Sequence, residues 1–187
     1  MKHSIEPNKA LRQLALLAIS IVIVGVVPAL AKIVGFQFLP SVQWYNKSMW
    51  LAWCVGAFSG AIFTLIIARE RAREEPDGLS LKSFGVVLFS PFFFGIIGMD
   101  AVSVGFPMLY TSVFGMQGEH QYVVERAVGF SDRKCPNKIE LRETPLMYDT
   151  LCGASEEFRN QLEPGMHLVV FGRSSQFGVF VVKASKP

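Results

Sequence analysis

Three long apolar runs, Leu14–Ala31, Met49–Ala68 and Phe84–Met99, precede nearly all of the compact polar sequence of this chain. The first two hold no charged residue. An α-helix needs about 20 such residues to cross a ~30 Å hydrocarbon core at ~1.5 Å per residue. Roughly 100 residues lie in or between these runs, which leaves room for one small water-facing domain. The expected fold class is membrane α-helical, with three transmembrane helices, plus a small C-terminal mainly-β (α+β) extracytoplasmic domain.

The domain expectation follows the runs. Residues 1–116 are read as the membrane domain, with spans at about 14–36, 49–68 and 84–103 and an interfacial segment to 116. Residues 117–187 are read as a disulfide-stapled, β-rich domain. The overall charge of +3 does not describe a basic surface for nucleic acid, because Gln117–Pro187 carries nine Lys/Arg and nine Asp/Glu. The excess lies beside the apolar runs, where it orients helices.

Charge also sets the expected topology. Lys2, Lys9 and Arg12 precede the first run; Lys32 and Lys47 fall in the first loop, Lys32–Ser48; Arg69, Arg71, Arg73 and Lys82 fall in the second, Arg69–Ser83. Short basic loops stay cytoplasmic, so the N-terminus is placed inside and, with three spans, the C-terminal domain outside. A bacterial inner membrane is the expected setting. Pro28-Ala29-Leu30-Ala31 has the form of a signal-peptidase site, but apolar residues resume at Ile33–Phe36, so the first helix is read as uncleaved.

Cysteine use agrees with this placement. Cys135 and Cys152 are the only cysteines in the polar domain. Joining them closes a loop of about 18 residues, which stabilises by roughly 3 kcal/mol in chain-entropy terms. Such bonds persist in oxidising compartments. Cys54, in the second run, reads as a small buried hydrophobe.

The third run is the hardest to place. Apolar sequence continues past Asp100 through Ala101–Met116, interrupted by Pro107. A span of about Phe84–Ser103 followed by a stretch along the outer interface is expected. The alternative, two short spans turning at Asp100, would return the C-terminal domain to the cytoplasm. Trp44, Tyr45 and Trp50 suit an interfacial aromatic belt. Asn46-Lys47-Ser48 has sequon form but sits too near the second span to be assigned a role.

Within the second run, Gly56 and Gly60 share one helical face and suit close helix packing. The helix should continue through Arg69–Glu75, with Arg71 and Glu75 spaced as an i,i+4 pair before a Pro76-Asp77-Gly78 turn. In the polar domain, Gln121–Phe130 and Ile139–Glu143 read as strands and Ser155–Leu162 as a short helix capped by Ser155. His167–Phe171 and Phe177–Val182 should flank a hairpin loop Gly172–Gln176, and their continuous apolar character suggests burial on both faces. A small sheet or partly closed barrel with one helix is expected.

Signatures of enzymes are absent: no HExxH, GxSxG, Walker loop, CxxC pair or GxGxxG follows from the sequence. No catalytic residue, metal ligand or cofactor is assigned. Asp100, the one ionisable residue inside an apolar stretch, is the possible polar membrane site. Arg173, Ser174, Ser175 and Gln176, at the hairpin tip, are the possible partner surface. Two functions are carried forward. One is a non-enzymatic inner-membrane protein that presents a β-domain outside the cytoplasm for protein–protein interaction, as an envelope-complex subunit or immunity-type protein. The other is an oligomeric transport or channel component with Asp100 in a polar path. The partners expected are membrane lipid and another protein, with a second copy for the oligomeric alternative, and no nucleic acid. A membrane-tethered enzyme would require His120, His167 or Ser174 to converge in a pocket.

Overall fold

The computed structural model describes residues 9–74, 80–127, 135, 137–145 and 147–186. The Arg71/Glu75 pair, the Pro76–Gly78 turn and the end of the Gln121–Phe130 strand fall outside the described residues, wholly or in part. The chain divides into two compact units. One contains the chain up to Val26 and Trp50–Val102; the other contains Val27–Met49 and Ser103 onward.

Three helical segments are long and apolar enough to cross a membrane: Arg12–Val34, Val42–Glu74 and Leu81–Phe114. They support a multi-pass membrane protein. Helix α1 (Lys9–Val34) runs unbroken past Ala31. It stops because Gly35 takes φ 98°. The Phe36 N–H then reaches the Ala31 carbonyl at 2.9 Å and the Gly35 N–H reaches Lys32 at 3.1 Å, the Schellman arrangement that a glycine after a helix permits. Strand β1 (Phe38–Pro40) follows, and helix α2 (Val42–Glu74) begins after Ser41. The expected first loop, Lys32–Ser48, is therefore mostly ordered structure: it contains a strand and the first two turns of α2. Asn46-Lys47-Ser48 is helical, with Ser48 buried. At its other end α2 continues through Arg69–Glu74, where Arg71–Glu74 (3.1 Å) and Arg73–Glu70 (3.0 Å) pair at i,i+3.

Helix α3 (Leu81–Asp100) is capped by Ser80, whose hydroxyl accepts from the Ser83 N–H. A π-helical turn (Ala101–Gly105) and helix α4 (Phe106–Phe114) follow without a break. The alternative turn at Asp100 is not formed. Pro107 has no N–H to give to Ser103, and its ring crowds that carbonyl; widening the preceding turn relieves the clash. Pro107 thus falls in the first turn of α4 rather than ending the helix.

In the helical unit, α3 meets both other helices through small residues. A Cβ on Gly56 would lie 2.8 Å from the Gly95 carbonyl, and one on Gly60 would lie 2.6 Å from that of Pro91. Gly25 of α1 faces Ile97 in the same way. Each polar side chain in the contact finds a carbonyl or hydroxyl, as hydrocarbon surroundings demand. The Ser59 hydroxyl reaches Phe94 O at 2.9 Å and Thr64 meets Ser90 at 2.9 Å. Ser90 donates to Val87 O at 2.9 Å, a carbonyl that Pro91 cannot serve. Large side chains point outward instead: Leu81, Phe89 and Trp50 are 89%, 68% and 83% exposed.

The second unit is built on a six-stranded antiparallel sheet ordered β1-β6-β5-β2-β3-β4. Its further strands are β2 (Met116–Arg126), β3 (Ile139–Leu141), β4 (Thr150–Leu151), β5 (His167–Ser175) and β6 (Gly178–Ser185). Helix α5 (Glu156–Asn160) is capped by Ser155 as expected, and its first turn holds Glu156 and Glu157. Leu39, Tyr122, Val124, Ile139, Leu141, Leu168, Val170 and Val179 form the core. Each aliphatic side chain buried this fully contributes about 2 kcal/mol.

The β5–β6 hairpin is tighter than expected. Ser175 pairs directly with Gly178, so Gly172–Ser175 belong to strand β5 and the turn is only Gln176-Phe177. Burial on both faces holds for Leu168–Val170 of β5 but not for β6, where Val182 and Lys183 are exposed. Val182 is the extra residue of a bulge between the pairs Phe171–Lys183 and Gly172–Val181. Gly172 is required there, because a Cβ would run into the Phe180 carbonyl.

Candidate functional site

The hairpin tip is anchored rather than free-standing. Phe177 enters an aromatic group with ring centroids 4.6 Å from Trp44, 4.8 Å from Tyr110 and 5.4 Å from Phe106. Ser175 holds the turn from both sides of its backbone. Its hydroxyl meets Thr111 Oγ1 at 2.7 Å and accepts the Phe177 N–H at 3.2 Å. Its carbonyl lies 2.7 Å from His120 Nε2, so that nitrogen must carry the proton. Arg173 donates to the Val113 and Gly115 carbonyls at 3.2 and 3.0 Å, capping the end of α4. Of the four residues proposed as a partner surface, Arg173 and Ser175 therefore make internal bonds, Ser174 packs on Gly118, and Gln176 is exposed.

The edges of the sheet meet at a seam the sequence reading did not contain. Gln37, one residue before β1, accepts the Cys152 N–H on its side-chain oxygen at 3.3 Å, one residue beyond β4. Its own carbonyl accepts the Val181 N–H at 2.9 Å. The sheet is thereby curled into a partly closed barrel. Lys32, in the last turn of α1, reaches across the same seam: its Nζ donates to the Met147 carbonyl and lies 5.7 Å from the Tyr148 ring centroid. Cys135 and Cys152 sit at disulfide distance beside it, with Cα atoms 5.0 Å apart. Inside, the Tyr122 hydroxyl donates between the Leu39 and Pro40 carbonyls at 3.1 and 3.2 Å, and burial raises its pKa above the ordinary tyrosine value.

A cavity of about 20 Å³ lies under the seam, bordered by Ala31, Lys32, Phe38, Met108 and Tyr148. It adjoins an open groove of about 400 Å³ walled by Leu30, Ala31, Val34, Met108 and Phe180. The groove is apolar apart from Ser112.

The other sequence candidates are placed separately. Asp100 is the last residue of α3, half-buried, immediately before the π-helical turn. Gly56 and Gly60 lie against α3 of the same chain. Neither cavity is lined by His120, His167 or Ser174. Among the described residues, no group of three His, Cys, Asp or Glu is arranged to hold a metal ion.

Lys32, Gln37 and the Phe38–Pro40 strand were missed because their signal is short. Three apolar residues between Gln37 and Ser41 carry no strand period, and their pairing partner lies 140 residues away at Gly178–Phe180. Compared with protein-family models, curated proteins and solved structures, the chain matches none.

Proposed function

We propose that this is a non-catalytic membrane protein of a bacterial inner membrane, with its N-terminus in the cytoplasm and its sheet unit held outside for contact with another protein. The observation that carries the reading is the Cys135–Cys152 pair at disulfide distance within the sheet unit. A bond of that kind is kept in an oxidising compartment and lost in the cytosol. The loop charges favour the same side, with the most basic short loop after α2. Gln176, exposed at the tip of an anchored hairpin, is the place where a partner meets a rigid surface.

The test fuses two reporters after Pro187, alkaline phosphatase for the outside and green fluorescent protein for the inside. Phosphatase activity without fluorescence is expected; the reverse overturns the reading. A photo-crosslinking residue at Gln176 should then give one adduct of reproducible mass in cells, and a lack of any adduct removes the contact role of the hairpin.

A second reading, transport through an oligomer, is favoured by one observation: Asp100 directly precedes a π-helical turn, a feature often found at functional sites. It requires loss of proton or ion flux in Asp100→Asn with unchanged assembly. It also requires an association surface other than Gly56 and Gly60, which face α3.

A further inference from the structure

We infer that the apolar groove between the end of α1 and α4 holds one acyl chain of an anionic phospholipid, with the lipid phosphate on Lys32. The groove is lined by Leu30, Ala31 and Val34 of α1, Met108 of α4 and Phe180 of β6. Both helices belong to segments long and apolar enough to cross a membrane, and the lining is apolar apart from Ser112, a surface suited to a hydrocarbon chain. Lys32 borders the adjoining cavity, which shares Ala31, Phe36 and Met108 with the groove.

The charge on Lys32 points to the occupant. Its Nζ contacts are the Met147 carbonyl and the Tyr148 ring, neither of which neutralises an ammonium. No carboxylate pairs with it among the described residues. An ammonium has three donors, and the Met147 carbonyl takes one. An apolar slot beside a cation that has no carboxylate partner among the described residues matches a hydrocarbon tail ending in a phosphate. A second copy seated symmetrically in the groove would bring two Lys32 charges together.

The inference does not depend on which side of the membrane the sheet unit occupies, because retention is read on the isolated protein. The full chain, purified in a nonionic detergent, is mixed with equal amounts of palmitoyl-oleoyl phosphatidylglycerol and phosphatidylcholine and examined by native mass spectrometry. One bound lipid is expected, with about a fivefold preference for phosphatidylglycerol. Lys32→Gln should bring the ratio to about one while keeping the bound lipid. Val34→Trp should cut both adducts at least tenfold by filling the groove; Val34 is 74% exposed, so the larger side chain leaves the helix intact. Leu30→Trp is the second such variant, and circular dichroism checks the fold of each. An equal ratio for the unaltered protein, unchanged retention in both tryptophan variants, or a lipid-free dimer overturns the inference.

Discussion

Gly60 and Gly172 each sit where a Cβ would strike a backbone carbonyl, that of Pro91 in the helical unit and that of Phe180 in the sheet unit. In the helical unit the small residue lets two backbones approach where no hydrophobic force between helices exists, since lipid is as apolar as the side chains. In the sheet unit it accommodates a bulge that bends β6 while Leu168, Val170 and Val179 are removed from water. The helices pack through small side chains and turn Leu81 and Phe89 outward, whereas the sheet packs through Tyr122, Leu168 and Val170. Their stabilities should therefore answer to different perturbations.

The largest difference should come from the cross-link. Among the described residues the sheet core is one cluster of eleven buried side chains, and the Cys135–Cys152 bond would add roughly 3 kcal/mol to it. Cys152→Ser, or a reductant, should accelerate amide exchange in β2, β5 and β6 by about a hundredfold and leave α2 and α3 unchanged. Equal acceleration in both units would show that they unfold together, and no acceleration would show that the bond does not form.

Close packing is the corresponding weak point of the helical unit. Gly60→Leu must displace the Pro91 backbone and should cost about 2 kcal/mol. Gly85→Leu, on the same unit but with nothing within 4 Å of its Cβ, should stay within about 0.5 kcal/mol. The detergent mole fraction of SDS at half-unfolding reads both. Equal effects would mean that α2 and α3 do not pack through these glycines.

How much of this could be read in the sequence follows the same division. Helices need only local periodicity and composition, so Leu14–Ala31, Met49–Ala68 and Phe84–Met99 announced three apolar helices, and Ser155 before two glutamates announced α5. Sheet edges need distant partners. Phe38–Pro40 and Thr150–Leu151 are too short to show a period, and only the folded chain joins them through Gln37 and Cys152. The hairpin was legible, but its length was not: Gly172 looked like a turn residue because the bulge it serves is formed by Val182 on the opposite strand. Candidate residues fared likewise. Cys135, Cys152 and the small residues had recognisable chemistry, whereas Cys54, expected to be buried, is exposed on α2, and Lys32 stood out only as a charge in a loop.

The smallest contrast is one of pH. Lys138 Nζ lies 2.9 Å from Glu140 on β3, and that bond holds the Glu140 carboxyl below its ordinary value of 4.5 and raises the Lys138 ammonium above its ordinary 10.5. A carboxyl depressed by folding stabilises above about pH 4.5, and that contribution is lost as pH falls through the folded value. A raised ammonium stabilises below about pH 10.5, and its share is lost as pH climbs past the folded value. Both side chains remain partly in water, so the pair should contribute only about 0.5 kcal/mol. A double-mutant cycle of Glu140→Gln and Lys138→Met should return that coupling at pH 7 and none at pH 3, read from amide exchange in β3. The stretch Phe84–Met99 holds no ionisable side chain of its own, so its exchange, corrected for the intrinsic chemistry, should not follow this titration. Coupling that survives at pH 3 would assign the effect to packing of the two aliphatic stems rather than to charge.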